Sequence, residues 1–515
     1  MRPFMIAIAV LAMLAPSAWF FWQARDAPHL GTFEDDSLYL VAGQSLAEGK
    51  GYRILSLPGE PYQTKYPPLY PLILAAVWKI DGNFPANMPK VMLAQWLLWL
   101  LFLATAALML WSLKPLDASA KWAALVFIAV SPPFVYLGLS IMPETLFASL
   151  CLLTIYLADF SDWPVNLRAL LAGACAAGAV MTKIAALPLI AAVFIAMLIK
   201  KRFLGAFLFA ALPGLAVAGL AAWAASHRLE TQDLNFIYYV DYIKYYVNTV
   251  SLSDLQRIIM VNLSSFAETV GQTVFFFLNR ASMLLLFHIV SGFIVVVITV
   301  VFLLKINLNS LVLFSLFYSI QLFFWNYMPD ARFVFPLLVF FTTGIFWGIN
   351  QVSKRFLPGP RRIRAFLVSA TIIIAWALLQ TYFYLNSFIP VSRLIWARLS
   401  CASSWIKDSV PGESTFLTYR DVDLFLLSGR RGLRPVRRPT LYYHNDVTAI
   451  ERPLRSISKY AATAGIDYLL WDRHDFSGDP YLGDAGRKEK ILSEIKGIVL
   501  EREICGVRIF RFTGV

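Results

Sequence analysis

The sequence predicts a polytopic α-helical membrane protein of about eleven transmembrane helices, followed by a small α/β domain at its C-terminal end. Three observations predict it. Of 515 residues, 58% are hydrophobic and 15% charged, whereas soluble domains carry about 25% charged residues. Apolar runs of roughly 18–25 residues, the length that crosses a bilayer core, recur over the first three-quarters of the chain. Beyond about residue 390 the charges return and the apolar runs shorten.

The spans read near 4–22, 89–112, 120–138, 143–160, 168–182, 185–199, 204–225, 281–304, 308–328, 333–350 and 365–385. The first run contains Ala-Pro-Ser-Ala, a pattern compatible with signal-peptide cleavage, but stays apolar through Trp19–Trp22. That length fits an uncleaved spanning helix better than a signal-peptide core of about 7–15 residues. The membrane module is expected over 1–388 and the soluble domain over 389–515.

Basic residues orient the chain. One alternating set of connectors holds Arg2, Lys114, Lys121, Arg168, Lys200–Arg202, Lys305, Lys354, Arg355, Arg361, Arg362 and Arg364. The short connectors of the other set hold little beyond Lys183 and Arg332. Loops rich in Lys and Arg stay on the cytoplasmic side. The N-terminus is therefore expected in the cytoplasm, with the connector 23–88 and the C-terminal domain outside it. A bacterial inner membrane is the first expectation for location. The net charge of +13 lies largely beside apolar runs, so it reads as orientation in a membrane rather than as a nucleic-acid surface.

The connector 23–88 is long and structured. Asp35-Asp36-Ser37 suits a helix start, where free amides and the helix dipole favour negative charge. Gly49 and Gly51 supply the stop. One acid suffices for a cap, so the second calls for another role. Lys65-Tyr66-Pro67-Pro68 is an extended, rigid turn, and the apolar segment 69–80 after it is too short to span and belongs at the interface. Residues 236–247, FIYYVDYIKYYV, are aromatic and amphipathic, as at headgroup level. In the soluble domain, 414–419 and 466–471 read as strands, 486–496 as a helix and 497–512 as two final strands. Cys401 and Cys505 lie one near each end of that domain, and in an extracytoplasmic compartment they are able to pair.

"DDSLYLVAGQSLAEGKGY" followed by "KYPPLYPLIL" resembles the first extracytoplasmic loop of GT-C membrane glycosyltransferases. The resemblance is to the branch with aminoarabinose transferases, protein O-mannosyltransferases and the related RgtA/B/C/D-like families. Weaker matches are Ser-Ile-Met-Pro-Glu-Thr-Leu-Phe (140–147) and Met-Pro-Asp-Ala-Arg-Phe-Val-Phe-Pro (328–336). The chain departs from the pattern in having Asp36 where the family usually has Glu. The resemblance implies transfer of a sugar from a polyprenyl-phosphate lipid to an acceptor hydroxyl of a glycan, lipid or protein outside the cytoplasm. It implies Asp35 as general base and Asp36 as a supporting acid.

Such a reaction needs a base for the acceptor proton and positive charge for the departing phosphate. Lys65, Arg332 and Lys183, all on the expected outer side, are candidates for the phosphate. Tyr39, Tyr66 and Glu144 are candidates for acceptor or sugar binding. Each has a plainer reading. Lys65 and Lys183 suit interfacial lysines that snorkel, Arg332 suits pairing with Asp330, and Glu144 suits a helix-start acid after Pro143. His288 within a span reads as part of a polar face inside the bundle. His227, His444 and His474 share no metal-ligand spacing. A divalent ion between Asp35, Asp36 and Glu144 is conceivable, as in related oligosaccharide transferases; no cofactor and no metal are expected here. Asn262-Leu263-Ser264 is a glycosylation sequon by pattern. A lipid or sugar transporter, or flippase, is the alternative reading, and it calls for ionisable groups at mid-membrane depth.

Overall fold

The computed structural model describes all residues except 1–2, 27–29, 31–34, 277–281, 307–308, 436–437, 477–478, 480 and 514–515. Arg2, one of the residues that orient the chain, lies outside the described residues. The chain opens with α1 (Pro3–Ala24), then the first connector carries two short helices, α2 (Asp35–Ala47) and α3 (Leu69–Ile80). The bundle continues through α4 (Met88–Ser112), α5 (Ala118–Val130), α6 (Pro132–Leu139), α7 (Glu144–Asp159), α8 (Val165–Thr182), α9 (Leu187–Ile199) and α10 (Phe203–Ser226). The second long connector folds into α11 (Leu234–Val240), α12 (Tyr242–Thr249) and α13 (Leu252–Val274). Helices α14 (Ser282–Leu304), α15 (Ser310–Phe323), α16 (Ala331–Phe356) and α17 (Gly359–Ser409) complete the bundle.

Every expected span coincides with one of these helices or with the bent pair α5–α6. Among the described residues, six helices are long and apolar enough to cross a membrane by length and composition, or seven with α5 and α6 as one span bent by 54°. Of the other expected spans, α1 has 22 residues, while helices such as Ser310–Phe323 at about 1.5 Å per residue fall short of ~30 Å of hydrocarbon. The chain is a multi-pass membrane protein, and this criterion does not reach the expected eleven.

Connectors expected on one side meet each other. Lys354 Nζ lies 2.9 Å from Asp117 Oδ2, joining the α16–α17 and α4–α5 connectors. Asp159 Oδ1 takes Lys200 Nζ at 2.5 Å and its Oδ2 takes the backbone N–H of Ser310 at 2.6 Å. His288 is buried, its Nε2 at 2.7 Å from the Phe275 carbonyl. It is a satisfied polar group inside the bundle.

Helix α17 runs for 51 residues, past the expected end of the last span at 385 and through the domain boundary expected at 388/389. It delivers the chain into a five-stranded sheet of order β2-β1-β3-β5-β4. The strands are β1 (Phe416–Thr418), β2 (Gly432–Leu433), β3 (Tyr468–Asp472), β4 (Ile498–Ile504) and β5 (Val507–Phe512). β1 pairs in parallel with β2 and β3, while β5 pairs antiparallel with β3 and β4. Helices α18 (Asp421–Ser428), α19 (Thr440–His444), α20 (Val447–Arg455), α21 (Ile457–Ala464) and α22 (Ala485–Glu494) cover it. Of these only α22 is expected from the sequence. Cys401 on α17 is disulfide-bonded to Cys505 in the β4–β5 turn, with 6.3 Å between the Cα atoms.

The C-terminal domain shares its core with the membrane module. One buried cluster joins Leu38, Val41, Ile54 and Leu57 of the first connector to Ile237 and Tyr245 of the second, and to Leu417, Val422, Leu433 and Trp471 of the sheet region. Burying that apolar surface between three chain segments fixes the domain against the two long connectors.

Candidate active site

Two local arrangements present the first connector's polar groups. Residues 63–68 form no regular element, so their backbone amides need partners. Gln63 Oε1 accepts the N–H groups of Lys65 at 3.0 Å and Tyr66 at 3.2 Å. The Tyr52 hydroxyl donates to the carbonyls of Tyr66 at 2.9 Å and Pro67 at 3.2 Å. The second arrangement is the start of α2. Asp36 is fully buried, and its Oδ1 accepts the N–H of Ser37 at 2.7 Å. The second acid thus serves the helix start, and the first is turned outward.

Asp35, Tyr39, Lys65, Tyr66, Glu144, Lys183 and Arg332 all line one cavity of about 510 Å³. Seven of the eight site residues read from the sequence therefore converge. Asp36 is not among the lining residues. The cavity sits where the connector 23–88 meets the starts of α7 and α16 and the end of α8. Its volume suits a sugar-phosphate head group, within the range of about 300–1,000 Å³ common to ligand sites.

Asp35 is the hub. Tyr66 Oη donates to its Oδ1 at 2.5 Å, and Arg332 Nη1 lies 3.1 Å from its Oδ2. Burial pushes the Asp35 carboxyl up, but Arg332, Lys65, the Tyr66 hydrogen bond and Lys183 together outweigh that and hold it below its ordinary range. Burial, and after it the Asp35 charge, push the Tyr66 and Tyr39 hydroxyls well above theirs. Asp35 is thus a carboxylate and the two tyrosines are neutral donors. Asp330 accepts the backbone N–H groups of Arg332 at 2.9 Å and Phe333 at 3.3 Å, capping α16. The Arg332 guanidinium feels the Asp330 charge as well and reaches Asp35.

Lys183 Nζ lies 2.8 Å from Glu144 Oε1, and Glu144 is only 1% exposed. The lysine is a half-buried partner of a buried carboxylate. Lys65 Nζ sits over tyrosine rings, 3.9 Å from the Tyr238 centroid, 4.8 Å from Tyr66 and 5.6 Å from Tyr242. Such faces attract an ammonium, and the Lys65 charge is felt by Asp35.

The sequence reading missed the opposite wall. Tyr238, Tyr242, Tyr318, Gln321, Trp325 and Tyr327 also line the cavity, and Tyr242 stacks on Trp325 at 5.0 Å. The one available signal was the aromatic stretch 236–247, which folds as two helices, α11 and α12, broken at Asp241. Asp35 and Glu144 already hold Arg332 and Lys183 of the chain itself, and Asp36 does not line the cavity. Among the described residues no group of three or more His, Cys, Asp or Glu is placed to hold a metal ion.

No protein-family model matches the chain, and no curated protein matches it. Solved structures do. The crystal structure of ArnT from Cupriavidus metallidurans in the apo state superposes with a TM-score of 0.52 at 11% identity, covering 98% of this chain and 97% of that one. The same protein bound to undecaprenyl phosphate gives 0.55 at 10% identity, over 99% and 98%. The Archaeoglobus fulgidus oligosaccharyltransferase in complex with Zn and sulfate gives 0.57 at 12% identity, over 94% and 70%. The fold is GT-C. Identities this low speak to the fold alone. Within the GT-C fold of this chain, the cavity is built from the two long connectors and the ends of α7, α8, α15 and α16.

Proposed function

We propose that this chain is a membrane glycosyltransferase. It moves a sugar from a polyprenyl-phosphate-linked donor to the hydroxyl of a glycan, lipid or protein acceptor on the extracytoplasmic face. One observation carries the reading: residues at 35, 39, 65, 66, 144, 183 and 332, chosen for this chemistry, meet in a single cavity. The ArnT neighbour bound to undecaprenyl phosphate supports a lipid-phosphate donor. The meeting of connectors assigned to the same side supports a cytoplasmic N-terminus and an outer C-terminal domain. A bacterial inner membrane is the proposed location.

Arg332 and Lys183 reach the cavity from their carboxylates, and Lys65 from its ring cage, so the donor phosphate meets three cations. Arg332 offers a fork of N–H donors suited to phosphate oxygens. The acceptor hydroxyl approaches Asp35. Its oxygen bonds to the anomeric carbon while the bond from that carbon to the phosphate oxygen breaks. The electron pair leaves on the polyprenyl phosphate, and the hydroxyl proton passes to Asp35. An ionised, weakly basic Asp35 takes this proton late, as bond formation acidifies the hydroxyl. The cations stabilise charge that grows on the departing phosphate. Displacement in one step inverts the anomeric centre.

The test is to incubate the purified protein with a panel of polyprenyl-phosphate sugars and follow released polyprenyl phosphate and products by mass spectrometry. Wild-type protein releases the lipid phosphate, and Asp35→Asn lowers the rate by roughly 10²–10⁴-fold while still binding undecaprenyl phosphate. Undiminished transfer by Asp35→Asn removes Asp35 as the base, and no release from any donor removes the reading itself.

A further inference from the structure

The α15–α16 connector, residues 324–330, is irregular backbone that forms the aromatic wall of the cavity, with Trp325 and Tyr327 lining it. Irregular backbone beside a helix end leaves carbonyls without partners. Here side chains from three other elements take them. Asn262 Nδ2 on α13 lies 3.1 Å from the Leu322 carbonyl, 3.2 Å from that of Phe323 and 2.7 Å from that of Trp325. Tyr246 Oη on α12 donates to the Phe324 carbonyl at 2.8 Å, and Thr269 Oγ1 on α13 to that of Pro329 at 2.9 Å.

Asn262 is fully buried, so the sequon pattern at 262–264 presents no glycan acceptor. Three carbonyls can only accept, so the amide nitrogen must face them and Oδ1 must face away. What meets Oδ1 is a residue of the C-terminal domain. Tyr443 Oη on α19 donates to it at 2.7 Å and also lies 3.5 Å from the Trp325 carbonyl. The Tyr443 ring is buried at 2% exposure, and its neighbours fasten α19 to the same elements. Thr440 Oγ1 donates to the Thr249 carbonyl at 3.1 Å, and His444 Nε2 lies 2.7 Å from Asp254 Oδ1.

We infer that Tyr443, acting through Asn262, is a positioning residue by which the C-terminal domain sets the Trp325–Tyr242 wall and with it the Lys65 ammonium. The line of contact is continuous. Tyr443 fixes the Asn262 amide, the amide fixes the Trp325 backbone, and the Trp325 ring stacks on Tyr242. Tyr242 is one of the rings under Lys65. The step from Lys65 to lipid phosphate rests on the function proposed above. Loss of the Tyr443 hydroxyl loosens the wall and lowers affinity for the phosphate without removing any group that touches it.

The test uses the full-length protein in nanodiscs with undecaprenyl phosphate as probe, comparing wild type, Tyr443→Phe, Asn262→Ala, the double variant and His444→Ala. Two quantities are read, amide hydrogen exchange over 324–330 and lipid affinity per folded molecule. Tyr443→Phe speeds exchange across 324–330 and weakens binding on the order of threefold to tenfold. Asn262→Ala weakens it at least as much. The double variant adds nothing to Asn262→Ala, because one residue acts through the other. His444→Ala, which loses a docking contact but none to the wall, binds like wild type. Unchanged exchange, additive losses, or a His444→Ala loss equal to that of Tyr443→Phe overturns the inference. Faster exchange in variants of a protein whose wild type binds no undecaprenyl phosphate upholds the positioning and instead removes the lipid-donor reading.

Discussion

Asp35 and Arg332 define what single residues contribute. A buried carboxyl is pushed up by its surroundings, and the cations around Asp35 together with the Tyr66 hydrogen bond reverse that push, Arg332 foremost among them. The base form is therefore present throughout the neutral range and is lost only as pH falls through a pKa below the ordinary 3.8. Arg332→Gln takes away the main counter-charge and leaves burial in place. The acid limb of kcat, measured at saturating donor, then moves toward neutral pH; an unmoved limb would mean that Arg332 does not set the ionisation of Asp35. Most of this site was legible from the sequence. An acidic pair before a helix, a Lys-Tyr-Pro-Pro turn and an Arg after a Pro-Asp step each have a chemistry that residue type announces. The sequence could not say which acid of the pair faces the cavity. Either side chain can serve a helix start, and the choice is made by Tyr66 and Arg332, which lie 31 and 297 positions away.

The elements holding these residues depend on close approach. Gly43 faces α3, where an added Cβ would lie 2.9 Å from Leu74 Cβ, 3.1 Å from the Pro71 carbonyl oxygen and 3.2 Å from the Ala75 nitrogen. Two of those neighbours are backbone, which cannot swing aside. Gly43→Ala is expected to cost about 1–3 kcal/mol of stability by overpacking, read as a lowered unfolding midpoint. It also lowers transfer activity, because α2 carries Asp35 and Tyr39. Long apolar helices and the strands β3, β4 and β5 were visible in the sequence through their periodicity. Others were not. β2 has two residues, too few for a pattern. Helix α18 begins with Asp421 and Asp423, both buried, where charge ordinarily signals solvent. The sequence reading also closed the last span at 385, whereas α17 continues through Pro390 to Ser409. The aromatic wall was hidden because Trp325 lies in irregular backbone whose place is set by Asn262 and Tyr443.

At the scale of the whole molecule, buried charge ties folding to pH. In the C-terminal domain burial pushes Asp475 up to about 7, against Arg420, and Asp421 up to about 6, against Arg434. A carboxyl that holds its proton more tightly folded than unfolded favours the folded state while the proton stays on. Above the unfolded value of 3.8 the unfolded chain has already released it, so this contribution declines as pH rises and is spent above about 7. Asp475→Asn removes that slope. The thermal midpoint of the wild type thus falls more between pH 5 and pH 8 than the variant's does, and equal falls would show that Asp475 is not protonated when folded. The same packing explains why the domain boundary was only partly legible. One face of the sheet packs on the end of α17 through Phe416, Leu470 and Ile509, but the other has no core of its own, because Leu417 and Trp471 share one cluster with Leu38 and Ile237.

Helix α17, at 51 residues and about 1.5 Å per residue, is about 77 Å long, more than twice the ~30 Å thickness of a bilayer core. A stalk of that length, bolted to the sheet through Cys401–Cys505 and rooted among the bundle helices, makes the C-terminal domain a fixture rather than a tethered float. The spacing between that domain and the bundle is then written into the length of one helix.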